Sequence, residues 1–251
     1  MNMIIRRLQW AGAQIEAKNV RILIDPIYNS YNKEFFGKPL QKFSSLEDIL
    51  YPDAVLITHL HSDHFDPDYI IQSFGLETRL FVPKGTEEEI MIKYGFKNVK
   101  GFLVDESFII GDLTITASYS VDGLGDEQVS WIINDKEKTI IHCGDTLWHG
   151  YWWGISKKYG PFEAALLPIN GAIVCDSDMI NSYQPICLNP EQAIAAARIL
   201  ESKLLIPIHF GSFHNPPIYN ETEDIKSRLL LTAEQEKVTI KLLNHGEAIE
   251  L

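Results

Sequence analysis

The chain has 251 residues, 45% of them hydrophobic and 22% charged, a globular composition that excludes a disordered, collagenous or coiled-coil polypeptide. Lysine and arginine number 22 against 34 aspartates and glutamates, and the resulting net charge of −12 sets up a field that repels nucleic acid and anionic membrane. No stretch reaches the roughly 18 apolar residues of a membrane span, and the amino-terminal MNMIIRRLQW lacks an apolar core behind its arginines, so it does not read as a secretory signal.

The length reads as one domain over residues 1–251. Cys143, Cys175 and Cys187 are an odd number, widely spaced, which points to a reducing, cytoplasmic setting. In chain order, strands are predicted at Met3–Leu8, Gly12–Ala17 and Val20–Asp25, followed by an aromatic-rich loop from Tyr28 to Phe43. A buried strand at Ala54–Thr58 runs straight into His59. Helical spacing covers Asp66–Phe74 and Glu87–Tyr94, each stopped by a glycine, Gly75 and Gly95. Strands return at Leu113–Tyr119, Val129–Asn134, Thr139–Cys143 and Ala164–Ile169. Asn189-Pro190-Glu191 opens a helix that runs through Leu200. Leu204–Ile208 is a buried strand delivering His209, Glu223–Glu236 a helix, and Val238–Leu243 is expected to close a sheet. Two strand-rich halves, each finished by helices, predict an α/β four-layer αββα sandwich.

Metal chemistry is concentrated in His59-Leu60-His61-Ser62-Asp63-His64, directly after a buried strand. Alternate residues His59 and His61 can point the same way in an extended turn and clamp one ion. Asp63 and His64 lie where the chain turns into the helix and can face a second. Two cations ~3.5–4 Å apart share a water whose pKa falls toward neutrality.

At these residues the chain resembles the metallo-β-lactamase-fold superfamily, whose hallmark is the motif HxHxDH. The resemblance covers nearly the whole chain. Asp25, at the end of a strand, matches the first acidic motif. His142-Cys143-Gly144-Asp145-Thr146 matches the segment whose aspartate, here Asp145, bridges both metals. Pro207-Ile208-His209-Phe210-Gly211 matches the motif whose histidine completes the second site. The resemblance implies two divalent ions, zinc foremost and manganese as the alternative, with His59 and His61 on the first and Asp63, His64 and His209 on the second. Asp25 then supports the hexapeptide without touching metal. Related redox members carry Glu in place of the second histidine, and this chain has His61, so a hydrolase is favoured over a di-iron oxidoreductase.

One departure matters. The superfamily places a histidine between the hexapeptide and the bridging aspartate, yet no histidine occurs between His64 and His142. Asp122 stands where it is expected and is taken as the replacement ligand, with a plain Asp122-Gly123 turn as the other reading and Asp126 as the next candidate. Asp63, Asp122 and Asp145 then hold the two ions with one more negative charge than usual, which acidifies a shared water less.

Weaker candidates surround this core. His149 could act as a proton donor, and His214 and Trp148 could contact substrate, the latter within an aromatic cluster of Trp148, Tyr151, Trp152 and Trp153 that equally suits core or subunit packing. His142 reads as a core histidine. The Tyr28–Phe43 loop could overhang the metals as a lid. Lys84, Lys157 and Lys158 could hold an anion. The expected function is a metal-dependent hydrolase attacking a small-molecule ester, lactone, amide or phosphodiester, with Asp63, Asp145 and His149 catalytic. No nucleic-acid or membrane partner is expected, and a homo-oligomer is allowed. The competing reading is a non-catalytic metal- or ligand-binding protein with a degraded first site.

Overall fold

The computed structural model describes residues 2–28, 31–41, 43, 49–175 and 181–251. The chain begins with β1 (Ile4–Arg7), β2 (Ala13–Ala17) and β3 (Val20–Ile24), then a short helix α1 (Lys33–Phe36) inside the aromatic loop. Residues 29, 30 and 42 of that loop lie outside the described residues. β4 (Ala54–Leu56), α2 (Pro67–Phe74), β5 (Arg79–Pro83), α3 (Glu87–Tyr94) and β6 (Asn98–Phe102) follow. Next come β7 (Ser107–Ile110), β8 (Leu113–Tyr119), β9 (Val129–Asn134) and β10 (Thr139–His142). The last third holds α4 (Trp152–Tyr159), β11 (Ala164–Pro168), β12 (Ile173–Val174), α5 (Pro190–Ile199), β13 (Leu205–Ile208), β14 (Tyr219–Asn220), α6 (Ile225–Glu236) and β15 (Ala248–Glu250).

Two sheets form, in orders β15-β1-β2-β3-β4-β5-β6 and β13-β11-β10-β9-β8-β7, with a small ribbon of β12 and β14. Strand alternation explains the layering. Ile22, Ile24, Ala54 and Leu56 meet Ile140, Leu166, Ile206 and Ile208 in one core between the sheets. Their neighbours Leu23 and Val55 face outward onto Ile70, Phe74 and Ile90 of α2 and α3. On the second sheet, Ile141, Ala165, Leu167 and Leu205 face Trp152, Ile155, Ala193, Ala197 and Leu229 of α4, α5 and α6. Both faces of each central strand are covered, which is why these strands read as continuous apolar runs. The result is the expected αββα sandwich.

Helix starts are set by side chains the sequence displays. Asp66 caps the Tyr69 amide ahead of Pro67 in α2, and Asn189 with Gln192 forms a capping box ahead of Pro190 in α5. The predicted closing strand at Val238–Leu243 does not form. Ile240 makes only an isolated bridge to Leu205, with Leu205 N donating to Thr239 O and Lys241 N to Leu205 O. The next inward donor along β13 would be residue 207, a proline with no N–H, so the ladder stops there. The chain's last strand is instead β15, which pairs antiparallel with β1.

Candidate metal centre

The functional candidates come from different strands but from one end of them. Asp25 follows β3, His59 lies just beyond β4, Asp122 beyond β8, Asp145 beyond β10 and His209 directly after β13. Carboxyl ends of strands are where α/β folds place ligands, because chain turning there leaves backbone and side chains free. After β4 the hexapeptide makes a tight turn in which His64 N and Phe65 N both donate to His61 O at 2.9 Å. This turn swings His64 back toward His59, whose rings sit 4.2 Å apart between centroids.

Two clusters of candidate ligands result. One atom each of His59, His61, Asp122 and Asp145 lies within 4.8 Å of the others, and the same holds for Asp63, His64 and His209. The separations between these atoms are informative. His59 Nε2 is 3.7 Å from Asp145 Oδ1, His61 Nδ1 3.6 Å from Asp122 Oδ1, and His64 Nε2 3.6 Å from Asp63 Oδ2. These are too long for hydrogen bonds but close to the ~3.3 Å between two ligands that share one ion at ~2.0–2.1 Å. The other oxygen of Asp145, Oδ2, faces His64 Nε2 at 3.8 Å and His209 Nε2 at 3.9 Å. One carboxylate thus presents an oxygen to each cluster. His59 Nε2, His64 Nε2 and Asp145 Oδ1 are buried without a hydrogen-bond partner among the described residues. Burying bare acceptors and donors in this way is unfavourable unless something else binds them. The donor set of imidazoles and carboxylates fits a divalent ion.

A second layer of contacts sets each ring. Asp25, fully buried, accepts from Thr58 N at 2.8 Å and Thr58 Oγ1 at 2.6 Å, and its Oδ2 lies 2.7 Å from His64 Nδ1. That contact leaves His64 Nε2 pointing into the cluster. Thr58 Oγ1 also meets His59 Nδ1 at 3.1 Å. Trp10 Nε1 donates to Asp63 Oδ2 at 2.8 Å. Asp126 Oδ2 lies 2.7 Å from His61 Nε2, on the far side of the ring from Asp122. Asp126 is therefore a partner of His61 rather than a member of either ligand cluster. Asp122 divides its oxygens: Oδ2 accepts from Leu124 N at 2.6 Å and Asp126 N at 3.1 Å, and Oδ1 faces His61. The turn occupies one oxygen of Asp122 and leaves the other, Oδ1, toward His61, where the ligand reading needs it.

Two site residues sit in strained backbone. Asp25 and His209 carry φ values of 44° and 55°, a region that costs a non-glycine residue ~1–3 kcal/mol. Both are tied by backbone bonds, Asp25 N to Leu56 O and His209 N to Trp10 O. Gly144 also has positive φ, and a Cβ there would come within 2.9 Å of Thr58 Oγ1, so glycine lets the Asp145 loop lie against the hexapeptide strand.

Electrostatics within the cluster are strongly coupled. Burial pushes the His64 imidazole down, but Asp63, Asp145 and Asp25 outweigh it and raise its pKa to about 10. Burial would raise Asp63, yet the neighbouring His64 and His209 hold it far below the usual carboxylate range. Burial raises Asp145 to about 7, aided by Asp122 and Asp63 and opposed by His64. His59 is held well below its ordinary value by burial beside His64 and His61. In the metal-free chain protons are thus shared among buried ligands, and divalent ions binding these atoms would displace them.

The beta-lactamase superfamily domain model matches residues 20–210. The chain belongs to this family. Among curated relatives of this beta-lactamase superfamily member, a UPF0173 metal-dependent hydrolase of Methanopyrus kandleri is 28% identical over 263 residues, covering 97% of this chain and 99% of the relative. Among solved structures, Igni18, a metallo hydrolase from Ignicoccus hospitalis, superposes with a TM-score of 0.75 at 22% identity, covering 100% and 99% of the two chains. The metallo-beta-lactamase fold protein YhfI from Bacillus subtilis gives 0.73 at 14% identity, covering 100% of each.

Not every predicted site residue joins the cluster. His149, expected as a proton donor, stacks on Trp152 with ring centroids 4.0 Å apart and takes the Tyr151 amide on Nδ1. Its pKa falls to about 4 through burial. It belongs to neither ligand cluster and does not line the cavity beside them, because α4 begins just after it and turns the ring into helix packing. Trp148 and His214 are exposed, and they too are absent from that lining. Lys84 and Lys158 are paired on the surface with Glu87 and Asp105. His142 is the core residue expected, its Nε2 2.8 Å from Ala11 O.

The cavity over the clusters measures about 20 Å³, room for one water. Its walls include His61, Asp63, Asp122, Asp145 and His209, with Phe35, Phe36, Leu124, Ile186 and Tyr219 opposite. The aromatic loop therefore does reach over the clusters, through α1. The ribbon of β12 and β14 brings Tyr219 to the same cavity. The walls from Leu124, Ile186 and Tyr219, with Trp10 and Thr58, are what sequence reasoning missed, and Asp126, a candidate ligand from sequence, is a partner of His61 instead. The density of aromatics after Asp25 hinted only at Phe35 and Phe36.

Proposed function

We propose that this chain is a two-metal hydrolase acting on a small-molecule ester, lactone, amide or phosphodiester. The observation that carries the reading is the Asp145 carboxylate, with one oxygen toward His59 and the other toward His64 and His209. His59, His61, Asp122 and Asp145 would hold one ion, and Asp63, His64, His209 and the other oxygen of Asp145 the second. Imidazole nitrogens suit zinc, and the carboxylates make manganese the alternative. When bound, two such ions supply an acidified water as nucleophile and polarise the oxygen of the scissile group.

The chain's own residues do the positioning. Asp25 and Thr58 orient His64 and His59, Trp10 holds Asp63, and Asp126 holds His61. Phe35, Phe36 and Leu124 exclude bulk water above them. No lysine or arginine lines the cavity among the described residues, and the chain is acidic, so polynucleotides are poor substrates and small uncharged molecules good ones. The presence of Asp122 at the first cluster favours catalysis over a ligand-binding remnant with a degraded site. Replacing Asp145 with Ala tests the reading. Metal content should fall at both sites and turnover of ester or lactone substrates should be lost, whereas two retained ions with full turnover would overturn it.

A further inference from the structure

β1 ends at Arg7, whose guanidinium turns inward and is only 4% exposed. Its polar contacts are two carbonyls, Leu243 O from Nη1 at 2.8 Å and Phe210 O from Nη2 at 3.5 Å, and its face lies 4.4 Å from the Phe210 ring centroid. Nε has no partner, and no carboxylate among the described residues pairs with it, in a chain with 34 acidic side chains. A buried cation with only carbonyls and one ring around it is incompletely compensated.

Beside Arg7 lies a cavity of about 350 Å³, separate from the metal clusters. Gln41, Lys226, Asn244 and His245 line it with Arg7, and no aspartate or glutamate does among the described residues. His245 Nε2 is a second buried nitrogen without a partner. Lys226, exposed on the first turn of α6, makes no ion pair with a described residue. Arg7, Lys226 and His245 thus converge from β1, α6 and the segment before β15. A role limited to tying β1 to the Leu243 carbonyl would require neither Lys226 nor His245. The volume lies within the range of small-molecule sites, ~300–1,000 Å³.

We propose that this cavity binds a small oxyanion, a carboxylate or a phosphate, through Arg7, Lys226 and His245. The guanidinium donates charge-assisted hydrogen bonds, the ammonium closes the rim, and the Gln41 amide supplies a neutral donor, whereas Asn244 Nδ2 already donates to Glu247 Oε2 at 3.2 Å.

Titration calorimetry with inorganic phosphate and with malonate, at constant ionic strength, tests this on the full-length metal-loaded protein. Saturable one-to-one binding is expected for at least one probe, and the tighter of the two assigns the ligand's chemistry. Arg7→Met, which keeps the apolar stem over Phe210, should weaken binding at least about tenfold, and Lys226→Gln should weaken it several-fold. Phosphate held at the metal clusters instead would be indifferent to Lys226→Gln. If Arg7→Met does not fold, Lys226→Gln decides alone, since its side chain is exposed. No saturable binding of either probe below about 10 mM, or binding unchanged in the folded variants, overturns the proposal.

Discussion

Asp122 offers the sharpest test of the metal centre, because its two oxygens do separable work. Oδ2 accepts the Leu124 and Asp126 amides at 2.6 and 3.1 Å, and Oδ1 faces His61 Nδ1 at 3.6 Å. Asp122→Asn keeps an acceptor for the turn but removes the anionic ligand. The two hydrogen bonds to a charged acceptor are worth ~1.5–3 kcal/mol each, so Ala should cost ~3–6 kcal/mol of stability and Asn, which keeps a neutral acceptor, ~1–2. Loss of an outer partner alone costs a metal site ~10–100-fold in affinity, so loss of a direct ligand should exceed about 100-fold at the first cluster. The second cluster, built on Asp63, His64, His209 and Asp145, should keep its ion.

Asp122→His separates the two roles from the other side. The imidazole restores a neutral ligand, so metal content should recover, while the turn loses its acceptor and stability should fall as in Ala. The exchange also removes one negative charge, and the ascending limb of the pH–rate profile, set by ionisation of the nucleophilic water, should move to lower pH. Metal analysis after gel filtration, with urea denaturation of each variant, reads both quantities. Near two ions per chain in the wild type and His variants, near one in Asn and Ala, is the expected pattern. Two ions retained in both Asn and Ala would show Asp122 to be a turn former alone.

Chelation should lower thermal stability as well as activity: ions at ~100 times Kd each contribute ~2.7 kcal/mol, and two correspond to a fall in Tm of about 10–20 °C at this chain length, measurable by differential scanning fluorimetry with metal add-back. The folded-state pKa of His149 lies near 4, below its ordinary 6.5, so the unfolded chain binds more protons between those values and stability falls as pH drops from 6.5 to 4. His149→Phe, which preserves the stack on Trp152, should remove that component, of order 3 kcal/mol, from acid denaturation curves and leave kcat within about twofold. Burial raises the thiols of Cys143, to about 12, and Cys187, whereas Cys175 is exposed, so iodoacetamide should label one thiol in the native protein and three in denaturant, counted by mass spectrometry.

Much of this architecture is written locally. β8 and β9 span Leu113–Tyr119 and Val129–Asn134 as expected from sequence, and α5 starts at the Asn189-Pro190 signal. The hexapeptide is legible because its ligands are neighbours in sequence, and one turn suffices to aim them. β5, β6 and β7 escape notice for the opposite reason: RLFVP, NVKGF and SFII are short, with exposed charged, polar or apolar positions, and become strands through pairing with neighbours already in the sheets.

The sequence by itself determined which residues could bind metal, since imidazole and carboxylate in HxHxDH spacing leave few other uses. Tertiary structure alone decided how they are held and what surrounds them. Trp10 reaches Asp63 across 53 residues, Asp126 reaches His61 across 65, and Phe35 and Tyr219 meet over the cavity from opposite ends of the chain. It also placed His149 against Trp152 and outside the cavity lining, a contact that its spacing from Asp145 does not reveal. Such contacts follow from how two sheets pack, and packing between distant segments leaves no periodic mark in either one.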